Sequence, residues 1–561
     1  MTHLTNAATV LLFASVVVAS ACGGGDDDTT PTTGAGGTGG GGGSGGSATA
    51  GGGEGGVAEP TYSVDVEVVG LRGRLELALS PSGEALTVTD NGVATFDEEL
   101  LDGTAWTIEL VSPPGLQSCA LAMPTGTIAG ADATGPVVTC RDHLPFAGND
   151  ATPADFELWA TDGTEEGTRR VADISPTGHG YPIELVKLDD GQLFFTADDG
   201  IHGRELWVSD GTEEGTKLVR DIRPGAESSF PGELVAHADR LYFRAEDDAA
   251  GGELWVSDGT EEGTERVADL APGDASANPE ALLSSGDRLF FVGDADDGDG
   301  PRAWALQADR LTIVPLARTL SEVLLTGFDG RVFFAGLDPV AGVELFVSDG
   351  TAAGTAMVAD IAPGSTGSSA RPLASLGASV LFMADDATVG REIYTTDGTV
   401  ASLVVDLNLG AAGSDPDDLG TVASRALLRA DDGVSGAEVW ASDGTATGTT
   451  LLMDANPGAG PSYVRPLGAV DGHALLATSP TGAGHVLWRT DGTPAGTAPF
   501  HTLAADQDVI APLGTVDDRA CFIAFDPTEG YEIWCTDGTD AGTSTLIDLC
   551  PGSCPGVPVA G

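Results

Sequence analysis

From residue 142 onward, apolar and polar positions alternate in runs of five to eight residues, broken by Asp, Gly and Pro. No apolar stretch repeats at helical spacing, so the pattern predicts strands and turns. One stretch shows the unit: "PIELVKL", "QLFFTA", "RELWVSD" and "TKLVRDI" read as four strands between residues 182 and 222. The second and third are joined by "DDGIHG", the third and fourth by "DGTEEG". Asp-Gly suits a tight hairpin, because the turn needs a positive φ that Gly adopts freely and Asp tolerates. In the third strand an aromatic alternates with Leu, so both faces are expected to be buried between stacked sheets.

The third strand and its turn recur along the chain. The aromatic stands at Trp159, Trp207, Trp255, Trp304, Phe346, Tyr394, Trp440, Trp488 and Trp534, in steps of 48, 48, 49, 42, 48, 46, 48 and 46. "ELWVSDGTEEGT" is identical at 205–216 and 253–264, whereas the fourth copy is degraded to "AWALQADRLT". Four strands per unit of this length is the pattern of a β-propeller blade. The phrase resembles the ELWxxDGT repeat of bacterial exported proteins, and that resemblance implies an architecture more than an activity. Nine blades are favoured; eight, with the degenerate fourth unit squeezed out, is the alternative. The first unit starts at "HLPFAG" without a first strand, and the terminal "GVPVAG" is expected to supply it and close the ring. An open stack would need polar caps instead.

Residues 60–141 read as a separate module. Six or seven short alternating strands punctuated by Gly, Pro and Asn-Gly predict a small β-sandwich, similar to the immunoglobulin-like modules of secreted bacterial proteins. The fold class is therefore all-β, with a sandwich before a propeller at 142–561. Ahead of both, residues 1–21 read as an export signal, since Val10–Val18 is too short for a permanent span. Ala19, Ser20 and Ala21 before Cys22 resemble a bacterial lipobox, which implies a lipidated Cys22 and a membrane anchor. Gly23 after the cysteine implies an outer-membrane lipoprotein on the periplasmic or cell-surface side. The Gly-rich segment 22–59 has nothing to bury and reads as a tether.

Composition sharpens this picture. The 85 acidic residues against 25 Lys plus Arg give a formal charge of -60, which repels phosphate backbones and argues against a nucleic-acid partner. Besides Cys22 there are six cysteines, an even set in an exported chain, with fifteen possible pairings. Proximity favours Cys119–Cys140, Cys521–Cys535 and Cys550–Cys554.

Candidate chemistry is sparse. Oxygen-rich loops are what calcium uses. The densest, "DADDGDG", offers Asp294, Asp296, Asp297 and Asp299 as ligands, although Asp and Gly are also the ordinary hairpin residues. The "SDGT" phrase differs from the Asp-box of sialidases, where Asp and Gly are separated and an aromatic follows. No HExxH, GxSxG nucleophile elbow or P-loop occurs. No catalytic residue or organic cofactor is assigned. A monomeric binding or scaffold module for protein or polysaccharide is expected, with a polysaccharide hydrolase or lyase acting in the channel as the alternative.

Overall fold

In the computed structural model the described residues are 59–549, except 151–154, 177, 321–323, 459 and 480–483, together with 556 and 557. The export signal, Cys22, the tether, Cys550, Cys554 and the last four residues lie outside them. The described chain is all β, with no helix.

Nine sheets follow residue 142, each a simple antiparallel meander. Eight have four strands and the first has three among the described residues, as expected from its missing first strand. The degenerate fourth unit is a full blade, running from Glu280–Ser285 to Ile313–Arg318. The strand starting each sheet contacts its counterpart in the next, which places these strands round a central channel.

Nine apolar clusters fill the nine junctions, and each holds the aromatic of one blade against the Leu face of the one before it. Trp207 packs on Leu158 and Ala160, and Trp255 on Leu206 and Val208. The ninth cluster closes the ring: Phe146 and Trp159 of the first blade lie with Cys521, Ile533 and Val557. The Asn149 amide donates to the Gly556 carbonyl at 2.8 Å, the bond that Glu246 makes to Ser229 and Asp431 to Ser414 in complete blades. The tail thus enters the first blade in the register of a first strand.

The recurring phrase is explained atom by atom. In the second blade, Asp210 Oδ1 accepts the Thr212 amide and hydroxyl at 2.9 and 2.6 Å. Ser209 Oγ meets Thr216 Oγ1 at 2.7 Å and accepts the Gly211 amide. Thr212 caps Gly215 N–H, where a Cβ would come within 2.0 Å of the Asp210 carboxylate. Only the Gly of the Asp-Gly pair takes a positive φ, 88° at Gly211. The aspartate is therefore chosen for its side chain rather than for a left-handed backbone, which corrects the expectation from turn propensity.

The Glu that opens the phrase is fully buried in seven blades, at 157, 205, 253, 344, 392, 438 and 532. Each carboxylate accepts from the segment that crosses to the next blade. Glu205 takes the Ile222 and Ser229 amides and the Ser229 hydroxyl; Glu253 takes the amides of Leu270, Ala271 and Ala277. A buried carboxylate is tolerated only with such donors. The two blades with Arg302 and Val486 at this position also have short crossings, Arg318 to Thr326 and Thr502 to Asp508. Where the crossing is short, its amides bond elsewhere, Thr319 to the Pro301 carbonyl and Leu503 to the His485 carbonyl, and the acid is absent.

The sandwich has more strands than the six or seven expected. It holds two four-stranded sheets and a two-stranded pair, because short edge strands such as Thr125–Thr127 carry too little alternation to be read. Its core includes Val66, Leu77, Phe96, Trp106 and Val138. Cys119–Cys140 and Cys521–Cys535 are bonded, each joining residues directly opposite in neighbouring strands.

Two outcomes are expected. Trp159→Ala should lower unfolding free energy by about 3–5 kcal/mol in urea denaturation, because it empties the ring-closing junction. Burial raises Glu157 and Glu205 to about 7 and Glu532 to about 8. Between about pH 4.5 and 8 the folded chain then holds protons that the unfolded chain has released, so these groups lower stability as pH rises. Denaturation of Glu205→Gln across that range should show a shallower decline than the parent, by roughly 1.4 kcal/mol per pH unit over the window of Glu205.

Candidate functional site: the open face and channel mouth

Antiparallel blades give the ring two distinct faces. One carries the DGT turns and the hairpins between first and second strands; the other carries the loops between second and third strands and the blade-to-blade crossings. The sandwich sits on the first. Only His143 separates its last strand, Val137–Asp142, from the first blade's Leu144–Gly148. His143 is buried, with Nε2 2.7 Å from Ser118 Oγ.

Several contacts lock the module down. Leu116 is buried in the junction of the first two blades. Lys187 Nζ reaches Asp142 Oδ1 at 2.6 Å and the Leu116 carbonyl at 3.3 Å. Arg169 donates to the Gly115 and Gly211 carbonyls, and Arg141 pairs with Asp517 of the ninth blade at 3.0 Å. A cleft of about 240 Å³ remains between the sandwich and the second blade. The opposite face is left open.

At the mouth of the channel on that open face, register-equivalent positions differ from blade to blade. Strand pairing aligns Ile183, Gly232, Glu280, Arg371, Asp417, Arg465 and Ala511. Acids lie on blades two to four. Glu184 Oε2 accepts the Leu234 amide at 3.3 Å and Glu233 Oε2 the Ala281 amide at 2.9 Å, each across a junction. Burial, helped by the like charge of Glu233, raises the Glu184 carboxyl. Blades six to eight carry the arginines. Arg371 holds Asp417 at 2.7 Å and the Pro416 carbonyl, Arg429 reaches Asp417 at 3.6 Å, and Arg465 donates to the Ile510 carbonyl. Beside them, loss of solvent and then the Asp417 charge push Asp418 up to about 6.

None of these channel residues stands out in the linear sequence, since each replaces an ordinary strand residue. Aligning the blades by strand register is the signal that finds them.

The four aspartates suggested for calcium fall in the loop before the fourth blade's third strand, and the structure does not gather them at one point. Arg302 grips both Asp297 oxygens at 2.6 and 2.7 Å, and Arg318 lies 3.9 Å from Asp299. Asp294 accepts the Asp296 amide, and both border an open hollow of about 360 Å³. Among the described residues no three acidic, His or Cys side chains form a metal-holding group.

No family model matches the chain, and no curated protein does. Among solved structures it is similar to puromycin hydrolase, at 16% identity and TM-score 0.31 over 57% of this chain and 55% of that one. It is also similar to the β-propeller domain of the Trilobed protease from Pyrococcus furiosus (10%, 0.32, 58% and 99%) and to TolB from Acinetobacter baumannii (12%, 0.26, 46% and 62%). The chain thus spans about half the length of the hydrolase it matches.

Lys187→Ala should loosen the seat of the sandwich on the ring, since it removes one donor from Asp142 and from the Leu116 carbonyl, at a cost of about 1–3 kcal/mol. Limited proteolysis within 112–117 should accelerate severalfold while the propeller melts unchanged.

Proposed function

We propose that this protein is an extracytoplasmic binding module of the ELWxxDGT-repeat kind, lipidated at Cys22 and standing off the outer membrane on its Gly-rich tether. Its ligand, protein or polysaccharide, docks on the propeller face opposite the sandwich. The observation that carries this reading is the asymmetry of the ring: one face is occupied by the chain's own module, and the other presents loops and a channel mouth whose residues differ blade by blade. Two disulfides suit an oxidising compartment, and no helix among the described residues is long and apolar enough to cross a membrane.

One observation favours a second reading, a polysaccharide hydrolase or lyase. Adjacent carboxyls with different environments can divide acid and base roles. Asp417 is held between two arginines, while Asp418 sits near a pKa of about 6 at the channel mouth.

The two separate experimentally. The full chain is screened against glycan and peptide arrays with and without calcium, and against polysaccharides for product release. Binding without turnover, unchanged in Asp418→Asn, is the expected result. Turnover abolished by Asp418→Asn would establish the enzyme instead, and no binding to either array would remove the module reading.

A further inference from the structure

Exposed large apolar side chains are concentrated on the open face. Ile201, Val340 and Val434, on the loops of blades two, five and seven, are 66%, 79% and 74% exposed. Phe230 and Leu409, on crossings, are 55% and 85% exposed, and Tyr463 at the channel rim is 66% exposed. The DGT face carries Leu311 and Val400. Each stands on its own segment, and apolar groups at this exposure, displayed round one face of a ring, offer a partner apolar area to remove from water.

The charge on the same face selects the partner. The described loops between second and third strands carry no lysine or arginine, and those of blades one to four, seven and nine contain aspartate or glutamate. The described crossings hold one arginine, Arg223, which Asp248 already binds at 2.8 Å. At the feet of third strands, Arg302 and Arg391 are likewise held by Asp297 and Asp415, and Arg204 donates to the Tyr181 and Thr196 carbonyls. The net field over the apolar groups is therefore negative, in a chain whose formal charge is -60. Four of the six apolar groups are aliphatic, and aliphatic tips suit apolar side chains, whereas sugar rings stack on aromatic plates.

We infer that the open face binds a polypeptide that is basic and carries apolar side chains, its cationic groups meeting the aspartate loops while its apolar groups cover Ile201, Phe230, Leu409 and Val434. This rests on the binding-module reading and narrows it to one partner class. Long-range attraction sets capture, and the apolar contacts set residence.

The test uses fluorescence anisotropy on the full chain with three labelled peptides of equal length: Lys alternating with Phe and Leu, Lys alternating with Gly, and Glu alternating with Phe and Leu. The first should bind most tightly and weaken at least tenfold from about 50 mM to about 500 mM salt. Combined Ile201→Ser, Leu409→Ser and Val434→Ser should weaken it about tenfold, while Leu311→Ser with Val400→Ser leaves it unchanged. These side chains are exposed, so melting of both variants should match the parent. The inference fails if the Lys-Gly peptide binds equally well, if the acidic peptide binds as tightly, or if the two variants weaken binding alike. Glycans bound and all peptides refused would overturn the partner class yet keep the module; refusal of both would end both readings.

Discussion

Every blade depends on having a neighbour. An isolated four-stranded meander from this chain would expose Phe194, Leu206 and Val208 on one side and Phe195 and Trp207 on the other, all buried in the ring. Face-to-face packing between sheets is thus the constraint from which the rest follows. It fixes the aromatic in each third strand, forces a closed circle because an end blade would leave one face wet, and sends each chain segment from the rim back to the axis. That return is the long crossing, and the crossing is what the buried glutamate serves.

The glutamate shows how one residue can tie levels together. It sits on the sheet with full burial, which costs free energy for a charge. It is kept where several amides of one loop converge on it, and lost at Arg302 and Val486 where the loop is cut short. The open face is therefore shaped from inside the blades, by carboxylates that no ligand could touch.

The ring was legible from the chain because its period is written in aromatics and Asp-Gly turns, both strong local signals. Blade number, the truncated first sheet and the pairings of Cys119 and Cys521 all follow from spacing. The role of the glutamate was not legible, since a charged residue alternating with Leu looks like an ordinary exposed strand position. Asp417, Asp418, Arg371 and Arg465 were hidden for a different reason: they gain meaning only when blades are superposed, and the sequence lists them some 46 to 48 positions apart. The "DADDGDG" loop misdirected attention because anion density is visible in a sequence, whereas the arginines that compensate it, Arg302 and Arg318, come from strands whose direction is not.

The seam between Asn149 and Gly556 bears on biogenesis. A chain that emerges from the ribosome or a translocon in order presents the strand of Phe146 first and the residue that must lie beside it near the end. Until then the first sheet has a raw edge, and hydrogen-bonding edges of that kind recruit foreign strands. The ring can therefore close only once the segment of Gly556 has been made and has reached Asn149. Nonsense codons or proteolytic clipping anywhere near the tail would leave an aggregation-prone crescent in place of a stable wheel.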